Sequence, residues 1–280
     1  MLKKLIKYEL KSTSKEFSIL YITFFLLTII NKIYITSINY FSNSIENSTL
    51  YDILERLHNV LIFAYHFLCI GIFLLTFTQI LIRFYKNLTG NEGYLTFTLP
   101  VPTWMLIISK LISSVIWLIC SLFSFLLSQS ILFWEDGFGE FVKNFISDFI
   151  PSAHPAYIFG IILILLFLIV HFASTTAEFY FFIAVGHLSK KYRIISAIIT
   201  FFLYNFLKIF LISCFFIKYL FFIVEKADQI FRSFYQNEKG LEFITYWNVN
   251  ASVLIILLLI ITGILSFITI KIFKNHLNLE

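Results

Sequence analysis

Charged residues are scarce in this sequence, and their scarcity excludes an ordinary soluble domain. Only 13% of the 280 residues are charged, whereas 59% are hydrophobic and 20% are aromatic. Soluble domains are about one quarter charged and about half apolar. The composition therefore indicates an integral membrane protein.

Glycine and proline are also few, and this bears on the kind of membrane protein. The chain has nine glycines and four prolines but 36 phenylalanines. Its apolar runs are continuous, whereas the strands of a membrane barrel alternate apolar and polar residues over about 10 positions. The predicted fold class is thus an all-α membrane protein with long, lipid-facing helices.

Cysteine is too rare, and wrongly placed, for a disulfide framework or a metal site. Cys69, Cys120 and Cys214 all lie inside apolar runs, and neither they nor the six scattered histidines have metal-ligand spacing. Such cysteines are typical packing residues. We therefore predict no metal site and no redox role.

The motifs of common enzymes are missing from the sequence. It contains no G-x-x-x-x-G-K-[ST] phosphate loop, no H-E-x-x-H and no G-x-S-x-G. The chain is therefore not predicted to be an enzyme or to bind ATP or magnesium itself. The net charge of +5 does not indicate nucleic acid, because membrane topology explains how the charges are distributed.

Six apolar runs are long enough to cross a bilayer, which takes about 20 residues each. The predicted limits are about 17–40, 60–84, 104–133, 156–186, 194–224 and 251–273. No separate soluble domain is evident, so residues 1–280 form a single predicted membrane domain.

Lysine and arginine are unevenly distributed between the connecting segments. They cluster in residues 3–15, 83–86, 190–193 and 271–274, whereas the loops 41–59, 134–155 and 225–250 are rich in acids. Basic residues concentrate on the cytoplasmic side of membrane proteins. Both termini are therefore predicted to be cytoplasmic.

The first 16 residues have an amphipathic pattern. Leu2, Leu5, Ile6 and Leu10 share one helical face, and lysines occupy the remaining surface. This pattern predicts a basic helix that lies flat on anionic headgroups before the chain turns into the first span. The alternative is a cluster of charges that only sets the topology.

The segment 91–103 between the second and third spans is predicted to be a compact cytoplasmic elbow. Gly90 and Gly93 allow unusual backbone angles around Glu92, and Thr103 is placed to cap a span starting at Trp104. Apolar residues form a short patch between these glycines and two prolines: Tyr94, Leu95, Phe97 and Leu99, then Pro100 and Pro102. The alternative is an ordinary interfacial turn with belt aromatics.

Several polar residues lie deep within the predicted spans, where charge is costly. Glu178 is about 14 Å into the bilayer from His187, at a rise of 1.5 Å per residue. The functional hypothesis is that Glu178 pairs with Lys208 or Lys32 along a transport path. His171 shares the helical face of Glu178 at i, i+7, and Ser174 and Thr175 lie between them in a polar stripe. The alternatives are a buried structural pair, or snorkelling of the charged groups.

Three segments resemble one family. NEGYLTFTLPV at 91–101, followed by Ser109-Lys110 in the next span, looks like the first cytoplasmic loop of bacterial ABC transporter permeases of the type-2 exporter class. FYFFIAVGHLSKKYR at 179–193 is similar to the end of their fourth span, and KYELK at 7–11 to their N-terminal helix. With the six spans, the resemblance covers most of the chain.

The resemblance implies a multi-pass permease subunit in the bacterial cytoplasmic membrane. It would pair with a second permease chain, identical or homologous, and with two ABC ATPase subunits that bind ATP and magnesium. Glu92, Gly93, Tyr94 and Leu95 would form the coupling helix that docks on the ATPase, and residues 1–16 the connecting helix beside it. Such permeases export lipids, drugs or antimicrobial peptides, and small ones often serve bacteriocin immunity.

Two other functional classes remain open from the residues. The chain could be an ion-coupled secondary transporter that uses the polar stripe around Glu178, although inverted repeats typical of such transporters are not evident. It could also be a membrane sensor or scaffold that moves no substrate.

Overall fold

The computed structural model describes residues 1–42, 48–90, 93–98, 100–133, 139–144, 146–147, 154–189, 191–210, 213 and 240–275. These residues are almost entirely helical, and none of them lies in a strand. The all-α fold class is therefore confirmed.

Six of the described helices are long and apolar enough to cross a membrane, and each overlaps one of the predicted spans. The helices are α1 Leu2–Ser42, α2 Ser48–Leu88, α3 Gly93–Phe97, α4 Thr103–Phe133, α5 Gly139–Asn144, α6 Pro155–Gly186, α7 Arg193–Phe210 and α8 Gly240–Asn275. The fifth predicted span continues to residue 224, but most of its part beyond Phe210 lies outside the described residues. The cytoplasmic position of the termini stays a prediction.

Helix α1 differs from its prediction, because the expected turn between an interfacial helix and the first span is absent. The helix is continuous for 41 residues, since no glycine or proline interrupts it. At 1.5 Å per residue it is about 62 Å long, about twice the thickness of the hydrocarbon core. The predicted amphipathic pattern is present, with Leu5 and Ile6 half-buried and Lys3, Lys4 and Lys7 exposed.

The chain divides into two compact units. Unit 1 comprises Met1–Arg83 and Ile112–Pro151, and unit 2 comprises Phe84–Leu111 and Ser152–Glu280. Each unit therefore contains three long helices or their larger parts: α1, α2 and α4 in unit 1, and α6, α7 and α8 in unit 2.

Hydroxyl groups join the three long helices of unit 1. Ser121 of α4 contacts the Tyr21 hydroxyl of α1 at 2.9 Å and the Thr76 hydroxyl of α2 at 2.8 Å. Two turns further along α4, Ser128 contacts Thr28 of α1 at 2.8 Å and also hydrogen-bonds Tyr65 of α2. Each serine thus links all three helices at one level. Small residues of this kind let helices approach closely in a bilayer.

The first turns of α1 also pack within unit 1. The Trp117 Nε1 group of α4 donates to the Thr13 hydroxyl at 2.9 Å, and its ring stacks on Phe17 with centroids 4.3 Å apart. Arg83 of α2 lies 3.7 Å from the Glu9 carboxylate and donates to the Ser12 hydroxyl. These contacts hold residues 9–17 against α2 and α4.

In unit 2, α6 packs along α8. The Asn248 side-chain amide donates to the Ala156 carbonyl at 2.8 Å. A Cβ atom on Gly160 would lie 3.0 Å from the Asn248 Oδ1 atom. Apolar contacts among Leu163, Val170 and Ile255 continue this interface. Glycine at 160 therefore permits the close approach of the two helices.

The corner between α6 and α7 also depends on a glycine. A Cβ atom on Gly186 would lie 2.7 Å from the Arg193 carbonyl oxygen and 2.9 Å from the Ala197 Cβ atom. Both distances are shorter than van der Waals contact. The glycine in the sequence GHLSKKYR is therefore explained by the close approach of α7.

Candidate functional site

The clearest candidate site in unit 2 is an ion pair between α6 and α7. Lys208 Nζ lies 2.6 Å from Glu178 Oε1, and the Tyr204 hydroxyl donates to the same oxygen at 3.1 Å. The Glu178 side chain is 7% exposed and the Lys208 side chain 32% exposed. Of the two lysines predicted as partners, the structure thus pairs Lys208 with Glu178.

The direction of the two helices explains how these residues meet. Glu178 lies about 12 Å before the end of α6, whereas Lys208 lies about 22 Å after the start of α7, at 1.5 Å per residue. Side chains on a helix tilt toward its N-terminus. If the chain reverses direction at the corner, the tilts bring the two side chains toward each other. The long lysine side chain then spans the remaining distance.

Aromatic rings surround the ion pair on the same two helices. The Phe182 ring contacts the Tyr204 ring edge-to-face with centroids 5.4 Å apart, and the Phe201 ring at 5.6 Å. Lys208 Nζ lies 5.7 Å from the centroid of the Tyr204 ring. The ammonium group is thus next to a carboxylate and near an aromatic ring.

A polar side chain without a partner lies one turn before Glu178. Ser174 is 1% exposed, and its hydroxyl has no hydrogen-bond partner among the described residues. Residues at i and i+4 share a helical face. Since a buried hydroxyl without a partner costs free energy, Ser174 is a candidate ligand-binding group.

Two further candidates from the sequence lie elsewhere. His171 shares the angular position of Glu178 on α6 but is exposed, with its ring stacked on Phe167 at 5.7 Å. Lys32 belongs to unit 1, where its ammonium donates to the Leu132 carbonyl at 3.2 Å. The predicted stripe is thus buried at Ser174 and Glu178 and exposed at His171.

The segment predicted to couple to an ATPase contains the short helix α3. Gly93 is its first residue, and Tyr94 and Leu95 follow within it. The side chains of Tyr94 and Leu95 lie outside the described part of the chain, and so does the whole of Glu92. The Thr96 hydroxyl donates to the Asn87 carbonyl at 2.9 Å. It thereby satisfies one of the carbonyls left open at the end of α2.

An aromatic cluster holds α3 within unit 2. The Phe97 ring stacks on Phe273 of α8 with centroids 6.3 Å apart. Phe273 in turn contacts Phe84 of α2, which stacks on Tyr180 of α6 at 3.7 Å. The short helix is therefore linked through rings to α2, α6 and α8.

Gly90, just before this segment, has a different role from the one predicted. The sequence was interpreted as needing glycine there to allow unusual backbone angles, but Gly90 does not have the positive φ for which glycine is favoured. A Cβ atom there would instead lie 2.8 Å from the Lys86 carbonyl oxygen. Glycine is required at the end of α2 because space is limited.

The predicted start of the third span is nearly correct, since α4 begins at Thr103.

His187 follows α6 directly and lies at the corner between α6 and α7. Burial of its ring, reinforced by the positive charge of Arg193, lowers the pKa of His187 below its usual value of 6.5. Its ring lies 5.5 Å from that of Tyr85. Near neutral pH this corner therefore holds a neutral imidazole.

Sequence reasoning missed two sets of contacts. Tyr204 was not considered as a partner of Glu178, although its i, i+4 spacing from Lys208 places both on one face of α7. The hydroxyl contacts of Ser121 and Ser128 were also missed. Their signal is the seven-residue repeat of Ser114, Ser121 and Ser128, all of them buried.

Comparisons with protein-family models, with curated proteins and with solved structures each gave no match.

Proposed function

We propose that this chain is the permease subunit of an ATP-driven exporter. It would move a hydrophobic or amphipathic substrate, such as a peptide, lipid or drug, with energy from ATPase subunits on separate chains. The six apolar helices and the absence of a phosphate loop from the sequence support a membrane subunit that depends on another source of energy.

The observation that carries this proposal is the construction of α3. The family-like segment NEGYLTFTLPV contains a short helix between two spans, and Thr96 and Phe97 fix that helix to α2 and α8. An interfacial turn needs no such anchoring. A short helix held from both sides is suited to transmit force from a bound protein.

Purification of the tagged chain from its native membrane tests the assignment. We expect an ATPase subunit that carries a phosphate loop to copurify in stoichiometric amount and to be identified by mass spectrometry. A chain with Tyr94→Ala and Leu95→Ala should lose it. The matched control is Tyr192→Ala, which changes an exposed aromatic on the same predicted side. Full ATPase recovery with the α3 variant would contradict the docking assignment.

A second candidate function, an ion-coupled transporter, is favoured by the ion pair itself. Buried ionisable residues within membrane spans often form proton relays. Transport by the reconstituted chain alone, driven by a pH gradient and abolished in Glu178→Gln, would support this alternative. Transport that requires the ATPase and ATP would rule it out.

A further inference from the structure

The Lys208 ammonium group lies where an ammonium group of another molecule could bind. It is 2.6 Å from a carboxylate oxygen and 5.7 Å from the centroid of an aromatic ring. A carboxylate beside an aromatic ring is the chemistry that recognises organic ammonium ions. Because the Tyr204 hydroxyl also bonds to Glu178, the ring and the carboxylate are fixed relative to each other.

The two members of the ion pair differ in their freedom to move. The Glu178 side chain is 7% exposed, whereas 32% of the Lys208 side chain is exposed. A lysine ammonium is a point charge on a flexible four-carbon stem and can move toward an interface by snorkelling. If the pair opens, Lys208 leaves and the carboxylate stays in place.

Ser174 supplies a further acceptor next to this carboxylate. Its hydroxyl is buried, has no partner among the described residues, and lies one turn from Glu178 on the same face of α6. An ammonium group has three donors. A ligand ammonium bound at Glu178 therefore has donors left for the Ser174 hydroxyl.

We propose that Glu178, Ser174 and Tyr204 form a binding site for the ammonium group of a cationic amphiphile, and that Lys208 occupies this site until the ligand displaces it. This inference rests on the proposed exporter function and names the class of its substrate. Lys208 acts as a tethered competitor. It keeps the carboxylate neutralised while the site is empty of substrate.

The test uses the full chain in phosphatidylcholine nanodiscs without an ATPase. The probe is decylammonium, decanol is its uncharged counterpart, and empty nanodiscs correct for partitioning. We expect Lys208→Met to lower the thermal midpoint, and decylammonium but not decanol to restore it. The apparent Kd for decylammonium should be about tenfold tighter in Lys208→Met than in the original chain, if Lys208 leaves its site about one tenth of the time.

Matched variants separate this site from general membrane effects. Thr200→Val removes a hydroxyl that donates to the Ser196 carbonyl of its own helix, and this variant should bind the probe like the original chain. Glu178→Gln should lose saturable binding. The contrary outcome is that acidification alone restores the thermal midpoint of Lys208→Met while decylammonium has no effect on it. That result would show that the site binds a proton, and it would overturn the proposal.

A second comparison applies if Lys208→Met does not fold. The double variant Glu178→Gln with Lys208→Gln carries no charge at this position, and its two side-chain amides can hydrogen-bond each other. The original chain should bind decylammonium saturably, and this variant should not. The proposal would be overturned if both bound the probe equally, or if the original chain showed no saturable binding. ATPase copurification is measured separately, so its failure contradicts the exporter function and leaves the binding result intact.

Discussion

The long helices of the two units are joined by different chemistry. Unit 1 relies mainly on neutral hydroxyls, at Ser121 and Ser128, that bond to two neighbouring helices each. Unit 2 combines aromatic stacking with the ion pair of Glu178 and Lys208. Hydrogen bonds between membrane helices contribute about 0.6 kcal/mol each on average, whereas removing one member of a buried ion pair costs about 3–5 kcal/mol.

This difference separates a structural network from a candidate site. Unit 1 spreads its polar contacts over several weak, interchangeable bonds, so each can be lost at small cost. Unit 2 contains the ion pair of Glu178 and Lys208, and the buried Glu178 carboxylate has to remain matched by a group of opposite charge. A concentrated charge that can exchange partners is suited to binding, whereas distributed hydroxyls are suited to holding helices together.

Breaking the ion pair should have the largest effect on stability. We expect Lys208→Met to lower the free energy of unfolding by about 3 kcal/mol, because it leaves an uncompensated carboxylate. The double variant Glu178→Gln with Lys208→Gln should lose less than half of that. Thermal unfolding in nanodiscs measures both. Equal losses of unfolding free energy in the two variants would mean that the uncompensated carboxylate does not determine the cost.

A methyl group at Gly186 should have the next largest effect. Gly186→Ala should cost about 1–3 kcal/mol, because its Cβ atom would overlap Arg193 and Ala197 of α7. The matched control in unit 1 is Gly71→Ala, since nothing lies within 4 Å of a Cβ atom at Gly71. That variant should be neutral or slightly more stable, as alanine favours helix over glycine by about 1 kcal/mol. Equal midpoints for the two variants would contradict the tight corner.

Removal of one hydroxyl from unit 1 should have a smaller effect. Ser128→Ala removes the partner of both Thr28 and Tyr65, and we expect a loss of about 0.6–1.7 kcal/mol. Ser130→Ala is the control, because among the described residues that hydroxyl bonds to the Leu127 carbonyl of its own helix. If Ser128→Ala lost as much unfolding free energy as Lys208→Met, the two units would not differ in the cost of losing a polar contact.

The pH dependence at His187 should be the smallest effect. The pKa of His187 is lowered in the folded chain, so folding favours the neutral imidazole. The contribution of His187 to the free energy of unfolding is therefore fully present above the unfolded pKa of about 6.5. Stability should fall as the pH drops from 6.5 toward the folded pKa. His187→Gln should flatten this part of the profile of thermal midpoint against pH. An unchanged profile would show that His187 is not responsible.

The membrane spans could be predicted from the sequence because hydropathy determines them directly. Some predicted limits differ from the helix ends by few residues, as at Thr103 and Gly186. Helices α1, α2 and α8, in contrast, begin well before their predicted spans. The turn near residue 16 was inferred from the amphipathic pattern of the first residues, and it is wrong because the helix continues through that point. Proline and glycine interrupt helices, whereas a change from lysines to apolar residues at Phe17 does not.

The candidate site could be predicted only in part. Depth in the membrane identified Glu178 and restricted its partners to Lys208 or Lys32, but which helices are neighbours is a tertiary property. The role of Tyr204 depends on the same packing. The burial of Ser174 and the exposure of His171, only three residues apart on α6, likewise depend on which helices pack against α6.

The hydroxyl contacts of α1 also have a consequence for the order of synthesis. Thr28 and Ser128 are 100 residues apart in the chain, so α1 emerges long before α4. At about 5–20 residues per second, α1 waits roughly 5–20 seconds for its partner. During that interval Thr28 can bond to the Phe24 carbonyl of its own helix, as it also does in the folded chain. Threonine at this position therefore suits a helix that has to remain in lipid alone before the rest of unit 1 is made.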